Sequence, residues 1–233
     1  MNGTEKKYTA WHYVGCGCAV LFVLAVLGIG GCFWVVTNWG RQMQAELTDP
    51  EARAAKARSL LGYEELPEGY YAGISFSVPL VMDVVVLADR ELPAGDDMGG
   101  MRGEEDMFRE RGFLYFKMRS FGQRRERIKN DMDMDVDFVA EELVGEGQVE
   151  AGGATVRYTA ELGETVLGTD RIPSVQAELE IDCGDAFFRQ AVWFEPISGA
   201  EPGQEEIPEA RLAGTPADEA ALEAFLDHFR FCG

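Results

Sequence analysis

The sequence predicts an α+β fold in which one N-terminal transmembrane helix is followed by an antiparallel sheet flanked by helices. Three observations support this prediction. Residues 13–39 contain no charged side chain, residues 70–197 contain several β-rich runs separated by turn residues, and residues 218–231 carry apolar side chains at helical spacing. The order helix, many strands, helix is typical of α+β domains.

The uncharged run at residues 13–39 is long enough to span a bilayer. At about 1.5 Å per residue, a helix over this run extends roughly 40 Å, against a hydrocarbon core of about 30 Å. Trp11 and Trp39 lie near its two ends, and aromatic side chains favour the level of the lipid headgroups. We therefore expect a single-pass protein of the cell membrane, with the lipid bilayer around residues 13–39 and a short N-terminal tail at residues 1–12.

Two other interpretations of this run remain open. A cleaved signal peptide needs a shorter apolar region and a small-residue cleavage site. Residues 29–32, Ile-Gly-Gly-Cys, resemble the lipobox of bacterial lipoproteins, in which Cys32 would become the acylated first residue. Against this interpretation, Cys32 is followed by Phe-Trp-Val-Val rather than by a polar tether.

The orientation of the span is predicted from charges and cysteines. The basic residues near the span lean slightly against export of the C-terminal part. The short tail with Lys6 and Lys7 is nevertheless typical of a signal-anchor, and Cys183 and Cys232 could pair in an oxidising compartment. We expect an extracytoplasmic domain, with Cys183 and Cys232 as the candidate disulfide. Two separate buried thiols are the alternative.

Charge excludes one class of function. The net charge is −20, and a chain this acidic repels nucleic acid over most of its surface. Residues 109–129 depart from this pattern, with eight basic and two acidic residues. This basic segment could balance the acidic remainder of the domain, or it could contact anionic lipid headgroups.

The first element after the span is predicted to be a stalk helix at residues 40–62. Thr48, Asp49 and Pro50 read as an N-cap followed by proline at the first helical position, and Gly62 ends the helix. The soluble α+β domain then covers residues 63–233. Its predicted strands are residues 70–78, 80–88, 113–118, 148–151, 154–162, 174–183 and 187–197.

The final helix is predicted over residues 218–231. Its apolar side chains recur with the i, i+3, i+4, i+7 spacing of an amphipathic helix. They are Leu222, Phe225, Leu226 and Phe229.

Two stretches carry a resemblance to known proteins. Residues 57–63, Ala-Arg-Ser-Leu-Leu-Gly-Tyr, and residues 66–70, Leu-Pro-Glu-Gly-Tyr, resemble bacterial single-span membrane proteins that are uncharacterised. Residues 219–231 resemble the last helix of small α+β domains of the PsbP/Mog1 type. The resemblance covers about half of the soluble part and implies an accessory or binding module rather than an enzyme. It transfers no functional residue to this chain.

One acidic pattern is a weak candidate for a metal site. Asp131, Asp133, Asp135 and Asp137 alternate with apolar residues, so a strand would project all four carboxylates from one face. Such oxygen ligands suit Ca²⁺. An EF-hand loop needs glycine where this chain has Val136. The alternatives are a solvated acidic face of a strand or the acidic start of a helix, so no metal is assigned.

Catalytic motifs are not found in the sequence. His228 precedes Cys232 by four residues, a spacing that could serve a metal or an activated thiol, although a partly packed histidine is the simpler interpretation. No phosphate-binding loop, dinucleotide-binding glycine motif, His-Glu-x-x-His or Gly-x-Ser-x-Gly motif occurs. We expect no catalytic residue and no cofactor.

The favoured function is that of a membrane-tethered, non-catalytic accessory domain that binds a protein partner in the cell envelope. One alternative is a membrane-anchored hydrolase that uses acidic residues or a metal, and another is a small structural subunit of a membrane complex. A deep pocket with converging carboxylates would favour the hydrolase, whereas a filled core with shallow grooves would favour the binding domain.

Overall fold

The architecture is a single antiparallel sheet of seven strands. The computed structural model describes Gly40 and residues 48–79, 81–94, 107–119, 137–204 and 207–232. All of these except Gly40 belong to one compact unit, Ala45–Gly233. The sheet order is β1-β2-β3-β7-β6-β5-β4. Its strands are β1 Tyr71–Val78, β2 Met82–Ala88, β3 Gly112–Arg119, β4 Phe138–Ala151, β5 Ala154–Leu167, β6 Asp170–Asp182 and β7 Phe187–Pro196.

The predicted α+β class is wrong, because the sheet dominates the described residues. Their only α-helices are α1, Pro50–Leu61, and α2, Glu219–Leu226, of 12 and 8 residues. Both contribute to the same buried cluster, so the helices lie on one face of the sheet and do not flank it. Three strands are longer than predicted: β4, β5 and β6 have 14, 14 and 13 residues, against predictions at residues 148–151, 154–162 and 174–183.

The transmembrane helix of the fold prediction falls at residues 13–39, outside the described residues. Across the residues that are described, no helix has both the length and the apolar character needed to cross a membrane.

Helix α1 begins and ends as its capping residues predict. The side chain of Asp49 accepts a hydrogen bond from the backbone N–H of Glu51 at 2.9 Å, and Pro50 takes the first helical position. Gly62 ends the helix with a φ of 68°, a conformation that glycine adopts without steric cost. Buried Arg53, Ala57 and Leu61 make α1 part of the core.

The buried Arg53 ties α1 to the loop that follows β2. Its guanidinium donates to the carbonyl oxygen of Leu92 at 2.9 Å and to that of Pro93 at 3.3 Å. Burial lowers the Arg53 pKa, and nearby Asp49 opposes this shift. Carbonyl partners for the buried donors reduce the free-energy cost of taking the guanidinium out of water.

Aromatic rings from the C-terminal segment pack on the face of the sheet that α1 and α2 cover, which we call the covered face. Phe225 of α2 stacks on Trp193 of β7 with centroids 4.2 Å apart, and it also contacts Tyr70 and Phe113 at 5.3 and 5.4 Å. Beyond α2, Phe229 stacks on Phe113 at 5.2 Å. Aromatic pairs in such arrangements stabilise a core by about 0.5–1.5 kcal/mol each beyond their burial.

The predicted final helix ends earlier than its periodicity indicates. Helix α2 stops at Leu226, and the chain then turns at Asp227 and His228 and continues without regular secondary structure. Backbone contacts hold this tail, since the N–H of Arg230 donates to Leu61 at 2.7 Å and that of Phe231 donates to Gly152 at 3.1 Å. These bonds to distant residues replace the helical bonds that Arg230 and Phe231 would otherwise make.

A disulfide joins Cys183, directly after β6, to Cys232 near the C-terminus. The two Cα atoms are 5.4 Å apart, and 49 positions separate the residues in sequence. A crosslink that closes a loop of this length stabilises the folded state by about 4 kcal/mol in the chain-entropy model. The bond therefore holds the aromatic tail on the sheet.

Substitution of Phe225 tests this packing. We expect Phe225→Ala to lower the free energy of unfolding by about 3–5 kcal/mol, because it removes the ring that contacts Trp193, Tyr70 and Phe113. The control is Leu143→Ala on the exposed strand β4, for which we expect a change within about 0.5 kcal/mol. Urea titrations of the two variants provide the measurement, and equal losses would contradict the packing described here.

Candidate functional site

The sequence-predicted metal site is mostly outside the described residues, which exclude Asp131, Asp133 and Asp135. Asp137 is described, is exposed, and directly precedes β4, where its carbonyl oxygen accepts a hydrogen bond from Val166 at 2.6 Å. Within the described ranges, no group of three or more histidine, cysteine, aspartate or glutamate side chains could hold a metal ion.

The second predicted pair, His228 and Cys232, does not form a thiol site. Cys232 is bonded to Cys183, so it has no free sulfur for a metal or for nucleophilic attack. The side chain of His228 is exposed just after α2. The structure thus brings together the two predicted cysteines and leaves the histidine at the surface.

A buried polar network lies beneath the aromatic core. Trp193 Nε1 donates to Tyr70 Oη at 2.9 Å, and Tyr70 Oη donates to Glu195 Oε1 at 2.6 Å. Arg111 completes the network, with Nη1 3.9 Å from Glu195 Oε2. Burial raises the pKa of the Glu195 carboxyl, and both Tyr70 and Arg111 oppose this shift. Because the Glu195 carboxylate accepts a hydrogen bond from Tyr70 and lies near Arg111, the network is suited to holding β7 against the core.

Carboxylates also converge at a smaller cleft. Glu141, Glu164 and Glu201 line a cavity of about 10 Å³, too small for a substrate. Glu164 is already paired with Arg171 at 2.9 Å and accepts the N–H of Gly203 at 3.1 Å. The side-chain hydrogen bond from Arg171 lowers the Glu164 pKa.

The most accessible feature of the fold is strand β4 at one edge of the sheet. It is hydrogen-bonded to β5 on one side, and no described strand pairs with its other side. Most of its 14 side chains are exposed. Val139 and Leu143 retain 46% and 54% of their surface in contact with solvent. An unpaired edge presents backbone N–H and C=O groups that can accept another strand.

The charge of β4 restricts what can pair with it. The strand contains four glutamates and no basic residue, and two register shifts interrupt its pairing with β5. Like charges directly opposite one another are destabilising, so a second copy of β4 is repelled. An extended segment with basic side chains would be attracted instead. Sequence reasoning missed this site because it assigned only residues 148–151 of β4 to a strand.

A row of polar residues crosses the face of the sheet that α1 and α2 cover, in the half of the sheet away from β4. Ser77, Asp83, Lys117 and Arg189 are successive cross-strand partners on β1, β2, β3 and β7. Ser77 donates to Asp83 at 2.6 Å. Arg189 donates two hydrogen bonds to Asp185, both at 2.7 Å, in the bidentate geometry that suits guanidinium and carboxylate.

The pKa values of Asp185 and of neighbouring Tyr115 are shifted in opposite directions, for different reasons. The side-chain hydrogen bonds from Arg189 lower the pKa of Asp185 to about 2. Tyr115 lies beside Arg189, and burial raises its pKa to about 12. Tyr115 therefore stays a neutral phenol at physiological pH, while Asp185 stays ionised and neutralises the buried guanidinium.

No protein-family model matches this chain, and a comparison with curated proteins also found no match. The resemblance to PsbP/Mog1-type domains accordingly stays a prediction.

Replacing Asp185 tests the ion pair through its pH dependence. Because the folded-state pKa of Asp185 lies below its ordinary value of 3.8, the pair stabilises the fold above about pH 4, and this stabilisation is lost as the pH falls towards about 2. We expect Asp185→Asn to lower the free energy of unfolding by about 1–3 kcal/mol at pH 7, a deficit that shrinks towards pH 2.

Asp170→Asn, at the exposed first residue of β6, serves as the control. Urea unfolding of wild type and both variants at pH 7, 4 and 2.5 supplies the comparison. A deficit for Asp185→Asn that is independent of pH would refute the pairing.

Proposed function

We propose that this chain is a membrane-tethered, non-catalytic domain that binds an extended, basic segment of a partner protein along β4. The single observation that carries the proposal is the edge position of β4, which leaves a 14-residue strand open to pairing. Addition of a partner strand to a sheet edge is a common mode of peptide recognition, in which backbone hydrogen bonds provide affinity and side chains provide specificity.

Side chains along β4 give the proposed interaction its selectivity. Glu141, Glu142, Glu146 and Glu150 would attract lysine and arginine, whereas exposed Val139 and Leu143 would contact apolar side chains of the partner. Charge complementarity of this kind raises association rates and discriminates against acidic competitors.

The tether in this proposal is the uncharged run at residues 13–39, and the domain is placed outside the cytoplasm. The Cys183–Cys232 disulfide supports this placement, because disulfides persist in oxidising compartments and are rare in the cytosol. A domain held at the cell envelope would meet its partner at the membrane surface.

Site-specific photocrosslinking in the native host tests the proposed partner surface. A photoreactive amino acid replaces Glu146 of β4 in the full-length chain. The matched control carries it at Tyr71, an exposed residue on β1 at the other edge of the sheet. We expect a discrete adduct from position 146 that maps to a basic, extended segment of one protein.

A second substitution makes this test specific. Leu143→Lys adds a positive charge to β4 without disturbing a buried side chain, so it should remove most of the adduct from position 146 while the protein level stays unchanged. The proposal fails if the two probe positions give the same adducts, or if the crosslinked segment is acidic.

Thiol labelling of intact cells tests the proposed side of the membrane. After treatment with an impermeant reductant, we expect an impermeant maleimide to label wild-type protein at Cys183 and Cys232. The control is the double variant Cys183→Ser/Cys232→Ser, which keeps Cys16, Cys18 and Cys32 in the predicted span and should lose the labelling seen in wild type. Labelling that appears only after cell lysis would place the domain in the cytoplasm.

A further inference from the structure

A cavity of about 200 Å³ lies where β1, β2, β3 and β7 end together. Its lining is apolar on one side and charged on the other. The lining residues are Val78, Val81, Met82, Asp83, Lys117, Arg119 and Phe187.

The charged side of this cavity is formed mainly by two cations on β3. Lys117 and Arg119 are two positions apart in a strand, so their side chains project to the same face. The backbone N–H of Arg119 donates to Val81 at 3.3 Å, which fixes the end of β3 beside the cavity. Neither cation forms an ion pair with any carboxylate that the structure describes.

An aromatic ring holds the ammonium group in place. Lys117 Nζ lies 4.8 Å from the ring centroid of Phe187, and the Arg189 guanidinium lies 5.5 Å from the same centroid. Contacts of this kind attract a cation to the face of the ring. Asp185 pairs with Arg189 and also interacts electrostatically with Lys117, and the cations that line the cavity are Lys117 and Arg119.

The remaining charge in the cavity is Asp83. Its carboxylate accepts the hydroxyl of Ser77 at 2.6 Å, so it is fixed towards β1. The cavity thus carries two cations against one carboxylate within a chain whose net charge is −20. This local excess of positive charge favours an anion over a cation as the ligand of the cavity.

We propose that this cavity binds a phosphate-bearing group, with Lys117 and Arg119 as donors to its oxygens and Val78, Val81 and Met82 in contact with its apolar substituent. Arginine and lysine are the usual partners of phosphate, to which they donate charge-assisted hydrogen bonds. The half-exposed Val81 and Phe187 beside the cations form the mixed basic and apolar surface that interacts with anionic lipid. The geometry stands independently of β4, and only the lipid source of the phosphate draws on the proposed tether.

Calorimetric titration of the full-length protein in neutral detergent tests this site with three probes: dioctanoyl phosphatidylglycerol, dioctanoyl phosphatidylcholine and inorganic phosphate. We expect the anionic lipid to bind and the zwitterionic lipid to bind at least about 10-fold more weakly. If inorganic phosphate binds as tightly as the anionic lipid, the site recognises free phosphate rather than a headgroup, and the lipid source is refuted.

Matched variants locate the binding. Lys117→Gln and Arg119→Gln should each weaken binding of the anionic lipid by about 10-fold or more. Arg157→Gln removes the same charge from an exposed residue on β5 and should leave the affinity unchanged. Thermal unfolding of each variant confirms that the fold is retained, and the exposed Arg119 provides a test even if Lys117 is needed for stability.

Two results would overturn the proposal. One is the absence of heat with every probe. The other is binding that all three variants reduce equally, since that would reflect net charge rather than this cavity. Both results are independent of the photocrosslinking outcome, so failure here is distinguishable from failure of the proposed partner surface.

Discussion

The stacking of Phe225 on Trp193, with centroids 4.2 Å apart and planes at 3°, is the interaction on which the rest of the structure depends. It links α2 to β7, the central strand of the sheet. Phe229 and Phe231 continue the aromatic layer over Phe113 and Tyr115. The disulfide fixes the end of this tail. A segment of 14 residues at the C-terminus therefore covers one face of a sheet whose strands all precede it in the sequence.

This arrangement determines where binding can occur. The tail and α1 occupy the covered face, and the two proposed binding sites lie at the perimeter of the sheet. Strand β4 is an acidic edge with exposed apolar side chains, whereas the ends of β1 to β3 and β7 surround a cavity with two cations. Opposite charges at two places on one sheet would allow the proposed protein segment and the proposed anionic group to bind at the same time.

Features that depend on residues close together in the chain were predictable from the sequence. The start of α1 depends on Asp49 and Pro50, which are neighbours, and sequence also identified Cys183 and Cys232 as candidates for pairing while leaving two free thiols open. The balance between helix and sheet was not predictable in this way. Residues 139–143 contain glutamates and apolar residues that suit the start of a helix as well as a strand, and pairing with β5 decides between them.

The two proposed sites were hidden from sequence for the same reason. Lys117 and Phe187 are distant in the chain and meet only because β3 pairs with β7. The edge position of β4 likewise follows from the order of all seven strands. The most direct test is hydrogen exchange of the full-length protein in detergent. Slow exchange at Phe229 and Phe231, together with fast exchange at the outward amides of β4, is the predicted result. Fast exchange throughout the C-terminal tail, with β4 fully protected, would contradict the account.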